Sequence, residues 1–181
     1  MSKLIVLLAD GFEECEALLV VDILRRAGVE TVMASIMGRL EVLSSRKIEV
    51  KADVLAEDVD YDSADMLFLP GGRKGSENLL NSELVKKWCV EFAKTKKLAA
   101  ICAAPSVLAR FGLLEGKKAT SYPSVTDQLK GATVITDKVV TDGHITTSRG
   151  LGTAIDFGLA IAERFCGKDV AEDIARGIVY R

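Results

Sequence analysis

Three runs of this chain are apolar at every position: Leu4-Ile-Val-Leu-Leu-Ala9, Met66-Leu-Phe-Leu69 and Leu98-Ala-Ala-Ile101. Nothing else in the sequence constrains the fold as much. A strand with one wet face alternates apolar and polar residues. A strand that is apolar throughout needs cover on both faces, as in a parallel sheet between helical layers. The intervening segments supply that cover. Residues 17–26 are amphipathic and stop at Gly28, and residues 82–94 place Leu84, Val85, Trp88 and Phe92 on one side.

The rest of the chain continues the alternation. Residues 30–36 read as a strand, and residues 41–44 with 48–51 as a short hairpin or a β-excursion. A short helix is predicted at 105–111, closed by Gly112, then a weak strand at 118–121 and a helix at 124–129. Short β segments follow at 133–135, 139–141 and 145–147, and helices at 152–166 and 170–178. Alternating β and α predicts an α/β fold, a flavodoxin-like three-layer sandwich with a mostly parallel central sheet. A length of 181 residues without linker, repeat or low-complexity tract predicts a single domain over 1–181.

In such sheets, sites lie at the carboxyl ends of the strands. Three loops follow strands and so gather at one end: 10–16, 70–75 and 102–105. Cys102 leaves the third apolar run, and Pro105 suits a first helical turn because its missing N–H is dispensable there. The cysteine therefore falls on a sharp strand-to-helix turn, facing free helix N–H groups that favour the thiolate. A buried thiol packing as a small hydrophobe is the other reading of the same segment.

The first loop holds Glu13, Glu14 and Glu16. Such acids complement a helix dipole; alternatively one of them faces Cys102, and Glu16 is the best placed because it opens the helix. A carboxyl beside a thiolate has a raised pKa, stays protonated, and can exchange a proton with sulfur or substrate. Pro70-Gly71-Gly72 reads either as a plain turn or as backbone that approaches a ligand and aims N–H groups at an oxyanion. The next residues, Arg73-Lys-Gly-Ser76, do not make a phosphate loop, and Gly150-Leu-Gly152-Thr-Ala-Ile155 fails the dinucleotide fingerprint at Ile155. The single histidine, His144, is expected at the far end of its strand, and Ala103 directly follows Cys102, so no thiol–imidazole pair is expected.

Several classes are excluded by composition. A net charge of −2 leaves no electrostatic footprint for nucleic acid. No run is long enough to span a bilayer, and the N-terminal run lacks the basic flank and cleavage site of a signal peptide. A cytoplasmic location without membrane or nucleic-acid partners is expected. Cys15, Cys89, Cys102 and Cys166 form no C-x-x-C pair, which predicts reduced thiols, and one histidine with scattered cysteines predicts no metal site.

Taken in order, Gly11-Phe-Glu-Glu-Cys-Glu16, Val21-Asp-Ile-Leu-Arg-Arg-Ala-Gly28, Leu69-Pro-Gly-Gly72, Ala99-Ala-Ile-Cys-Ala-Ala-Pro105 and Thr147-Ser-Arg-Gly150 with Gly152-Thr153 resemble the ThiJ/DJ-1/PfpI superfamily, in its DJ-1-like branch. The resemblance implies a flavodoxin-like fold, a homodimer, no cofactor, and a reactive cysteine on a strained elbow. By position it implies Cys102 as nucleophile and redox-sensitive thiol, Glu16 as its protonated carboxyl partner, and Gly71, Gly72 and Ala103 as backbone donors around it. It implies that Arg46, in Ser44-Ser-Arg46, reaches the partner subunit's cysteine pocket, where it binds anions or oxidised sulfur. By position it also puts Tyr122, where many relatives carry histidine, with Arg46 in the substrate or anion pocket; Tyr122 can donate a hydrogen bond, but with a reference pKa near 10 it is a poor base. Leu151 replaces a common proline, with little expected consequence for chemistry. The implied function is glyoxalase III or deglycase chemistry on small reactive aldehydes. The alternative is an oxidative-stress sensor or redox-regulated chaperone that works by oxidation of Cys102, with Cys15 as a candidate second thiol.

Overall fold

The computed structural model describes residues 2–180. The first apolar run forms β1 (Lys3–Leu8), buried at all but its first residue. The chain then turns into α1 (Glu14–Arg26) and returns as β2 (Glu30–Ser35), parallel to β1. β3 (Glu41–Leu43) and β4 (Glu49–Lys51) pair as an antiparallel hairpin outside the main sheet, and β5 (Val54–Leu55) adds an edge beside β2. Next come β6 (Met66–Leu69), α2 (Arg73–Leu80), α3 (Glu83–Thr95), β7 (Lys97–Ile101) and α4 (Pro105–Arg110). β8 (Lys118–Ala119) pairs with β9 (Thr133–Val134); β10 (Val139–Asp142), β11 (Ile145–Ser148), α5 (Ala154–Cys166) and α6 (Lys168–Gly177) complete the described elements.

The main sheet runs β10-β11-β7-β6-β1-β2-β5 and is parallel except for the antiparallel β10–β11 pair. Neighbouring residues on a strand point to opposite faces, so each uninterrupted apolar run feeds two cores. Leu4, Val6, Leu8, Met66 and Phe68 pack with Val20, Leu24, Phe157 and Ile174 of α1, α5 and α6. Ile5, Leu7, Leu67 and Leu69 pack with Val85, Phe92 and Leu108 of α3 and α4 on the other face. This is the expected α/β sandwich with a largely parallel central sheet. From β1 the chain proceeds to β2 on one side and later to β6 on the other, so a crevice opens between the carboxyl ends of β1 and β6.

Local departures have local causes. α1 begins at Glu14 rather than at residue 17, which places Glu16 in its first turn. α2 is a helix the periodicity does not announce: its only large apolar residues are Leu79 and Leu80, and it is held by burial of Gly75, Ser76 and Leu79. Residues 124–129, expected as a helix, belong to a 3-10 segment, Pro123–Gln128, without a buried residue to lock a full helical turn. α5 starts two residues later than expected, after a 3-10 turn at Leu151–Thr153. All four cysteines are free, and among the described residues no helix is long and apolar enough to cross a membrane.

Candidate functional site

Cys102 follows β7 directly and sits at φ +64, in the left-handed region. For a residue with a side chain this costs about 1–3 kcal/mol, so the surroundings must impose it. They do so through both of its backbone polar groups: its N–H donates to the Ser148 carbonyl at 3.0 Å, and its carbonyl accepts from the Tyr122 amide at 2.8 Å. One bond ties it to the end of β11 and the other to the loop after β8. Pro105 opens α4 immediately beyond.

Across the crevice stands Glu16, 1% exposed. Its carboxyl faces the Cys102 thiol and the amides of Gly71 and Leu151. Oε2 is nonetheless buried without a partner at hydrogen-bonding geometry among the described residues. Burial, reinforced by the nearby Glu13 charge, pushes the carboxyl up to about 7, while the thiol and the two amides pull the other way. The direction is the one expected from sequence, but the leading cause is desolvation and not a neighbouring thiolate.

The thiol departs from expectation. Burial, then the charge of ionised Glu16 and its hold on the thiol proton, push Cys102 up to about 12; the amides of Gly72 and Ala103 oppose this without overcoming it. A helix of six residues lowers a thiol less than desolvation and an adjacent carboxylate raise it. Once Glu16 carries a proton its charge is gone, and it becomes a donor to sulfur. The two groups therefore titrate as a pair.

Two glycines make this approach feasible. A Cβ on Gly71 would stand 2.5 Å from Cys102 Cβ and collide with Glu16 Oε2. Only a bare backbone fits between the two. Gly72 takes φ +88 at the start of α2, where a Cβ would lie 2.7 Å from the Glu13 nitrogen. The amides divide their work: Gly71 faces the carboxyl, while Gly72 and Ala103 face the sulfur.

Tyr122 is half exposed, and its ring borders the site. A Cβ on Gly150 would be 3.5 Å from Tyr122 Cδ2 and 3.7 Å from Glu16 Oε1. Leu151, expected from sequence to have little consequence for chemistry, supplies an N–H toward Glu16. A proline there would have none, and that was the available signal. Ser148 was also missed as the carbonyl that receives the Cys102 amide; nothing local in sequence announces a cross-strand partner.

Arg46 is exposed on the turn between β3 and β4 and makes no ion pair among the described residues, and its charge is not among the causes that shift Cys102. The turn itself is anchored. The Ser45 amide donates to the Phe12 carbonyl at 2.7 Å, and its hydroxyl donates to Glu13 at 2.8 Å and Glu14 at 3.2 Å. Burial raises Glu14, but hydrogen bonds from its own amide, Ser44, Ser45 and the Arg46 amide more than offset this and hold it below the ordinary carboxylate value. The acids at the start of α1 thus part ways, Glu14 held down and Glu16 held up. Cys15 is exposed and unbridged. His144 is exposed and precedes β11, whose register places Ile145 beside Leu98 and Ser148 beside Ile101, so it lies at the end of the sheet away from Cys102. Among the described residues no group of three or more His, Cys, Asp or Glu could hold a metal ion.

Residues 2–164 match the model of the DJ-1/PfpI family. The chain is 41% identical to protein dj-1beta of Drosophila melanogaster over 187 residues, 99% of this chain and 98% of that one. It is 41% identical over 169 residues to DJ-1 homolog B of Arabidopsis thaliana, spanning 92% of this chain but only 39% of that protein. A deglycase of Thermococcus kodakarensis is 35% identical over 152 residues, 83% of this chain and 91% of that one. The crystal structure of Drosophila DJ-1beta superposes with a TM-score of 0.95 at 41% identity, covering 99% and 98% of the two chains. Oxidised Toxoplasma gondii DJ-1 gives 0.95 at 36% identity with the same coverage.

Proposed function

Since the chain belongs to the DJ-1/PfpI family, we propose that it is a cofactor-independent cysteine enzyme acting on small reactive aldehydes, of the glyoxalase III or deglycase type, in defence against carbonyl and oxidative stress. The observation that carries this reading is the strained Cys102 facing a buried carboxyl whose pKa is pushed up to about 7, with only Gly71 between them. Similarity to the Thermococcus deglycase supports it.

With one proton on the pair, transfer from sulfur to Glu16 creates the nucleophile and the acid together. The sulfur adds to the aldehyde carbon of methylglyoxal, and Glu16 delivers its proton to the aldehyde oxygen, giving a hemithioacetal. The amides of Gly72 and Ala103 would steady the oxyanion meanwhile. The Glu16 carboxylate then takes the proton from that carbon, and protonation at the neighbouring carbonyl carbon leaves a thioester of lactate. Water cleaves the thioester and restores the thiol. One carbon is oxidised as its neighbour is reduced, so no electron acceptor is consumed. The same proposal takes the protein to be a cytoplasmic homodimer, with the exposed Arg46 serving the partner's pocket. Purified protein should release lactate from methylglyoxal, and Cys102→Ala should stop it; undiminished release by that variant would overturn the reading.

A second reading rests on the same amides. Gly72 and Ala103 face the sulfur, and a protonated Glu16 could hold an added oxygen, as an oxidation sensor or redox-regulated chaperone requires. Similarity to oxidised Toxoplasma DJ-1 supports it. Mild peroxide should then add two oxygens at Cys102 by mass spectrometry; equal modification of Cys15, Cys89 and Cys166 counts against it.

A further inference from the structure

Proton transfer between Cys102 and Glu16 makes no use of the Tyr122 ring. That ring is 49% exposed, although the Tyr122 amide is bonded to the Cys102 carbonyl. Gly150 locates it. The place where a Gly150 side chain would begin lies within 4 Å of both Tyr122 Cδ2 and Glu16 Oε1, so the ring edge and the carboxyl border one small open space. Leu151 follows directly, 53% exposed, with its amide toward the same carboxyl. Charged groups of the same chain on the neighbouring loops are engaged with other residues. Arg149 donates to the Thr136 carbonyl at 3.0 Å, Glu13 accepts from Ser45, and Lys138 pairs with Asp156 at 3.2 Å. The Tyr122 hydroxyl has no hydrogen-bond partner among the described residues. The large exposed side chain that borders the carboxyl is therefore the flat Tyr122 ring. A half-exposed aromatic ring beside a polar reaction centre matches a substrate with an apolar body and a polar reacting end.

We propose that Tyr122 sets substrate choice at this site. Its ring stacks on a flat apolar substituent of the aldehyde, so that aryl-substituted α-oxoaldehydes are favoured over methyl-substituted ones. This rests on the aldehyde reading above and refines it. Tyr122 touches the substituent and not the reacting atoms, so its effect belongs in the ratio of two substrates, from which any general loss of activity cancels.

The experiment measures kcat/KM for phenylglyoxal and methylglyoxal with wild type, Tyr122→Phe and Tyr122→Ala. Tyr122→Phe should keep the wild-type ratio, and Tyr122→Ala should lower the phenylglyoxal-to-methylglyoxal ratio by roughly fivefold, the scale of one ring–ring contact. An unchanged ratio in Tyr122→Ala overturns the proposal. So does an equal fall in Tyr122→Phe, which would assign the effect to the hydroxyl. Should wild type turn over neither aldehyde, the aldehyde reading fails, and the ring is tested separately by alkylation of Cys102. The rate with 2-bromoacetophenone relative to iodoacetamide must then fall about fivefold in Tyr122→Ala; no change overturns ring stacking at this site.

Discussion

Cys89 and Cys102 are both thiols that the fold pushes up to about 12, and they reach that value by different routes. Cys89 lies in α3 at 0% exposure, and burial is the whole cause. Cys102 is partly buried at the end of the sheet; burial leads there too, but Glu16 adds to it, and two backbone amides subtract. Burial around Cys89 cannot change its contribution. At Cys102 part of the penalty vanishes when Glu16 takes the proton, so a proton can pass from thiol to carboxyl without leaving the pair. A thiol raised by a titratable neighbour is switchable, and a thiol raised by packing is inert. An elevated pKa alone does not separate a reactive cysteine from a structural one; the identity of what raises it does.

The largest test of that contrast removes the sulfur at Cys102. Cys102→Ala is expected to lower methylglyoxal turnover by roughly 10³-fold or more, since no other group can form the covalent intermediate. Removing the neighbour comes next. Glu16→Gln should lower turnover by about 10²-fold, the usual worth of a positioned acid–base group. It should also abolish a feature of the wild-type pH profile: kcat/KM rising through about pH 7 as the pair loses the first of its two protons. A profile of unchanged shape in Glu16→Gln would place the titrating group elsewhere.

Stability carries the same signature more weakly. Glu16 moves from an ordinary 4.5 to about 7 on folding, so the folded state binds the extra proton between those values. The contribution of its raised pKa is fully present below about pH 4.5 and is lost as pH rises through 7, amounting to about 3 kcal/mol. Unfolding free energies from urea titrations of wild type and Glu16→Gln between pH 4 and 8 should diverge by that amount; parallel curves would break the account of Glu16 as a desolvated carboxyl. The smallest effect falls on the inert thiol. Cys89→Ala should leave kcat/KM within about twofold and cost about 1 kcal/mol for the small cavity it opens. A loss of turnover comparable with that of Cys102→Ala would erase the distinction between the two regions.

Much of this was legible along the chain. The runs ending at Ala9, Leu69 and Ile101 lack polar positions, which demanded two covering layers and sent the loops of Glu16, Gly71 and Cys102 to one end of a parallel sheet. Pro105 marked the elbow. Less legible were α2, with Leu79 and Leu80 as its only large apolar residues, and the Ser148 and Tyr122 backbone groups that hold Cys102, which act from a remote strand and a remote loop and leave no pattern in their own segments. Leu151 is a middle case: the absence of proline was visible, but its meaning depended on where Glu16 lay.

By itself, then, the sequence determined the architecture and the meeting of the three loops, because strand burial is a local periodic property and the carboxyl ends of parallel strands share one side. Only the tertiary structure decided the protonation of the pair. A pKa is set by desolvation and by charges and amides that converge through space. Gly71, Gly72, Ala103 and Leu151 come from three separate loops around Glu16 and Cys102. From the turn alone the thiol looked depressed; the converging burial and carboxylate made it a thiol that depends on Glu16.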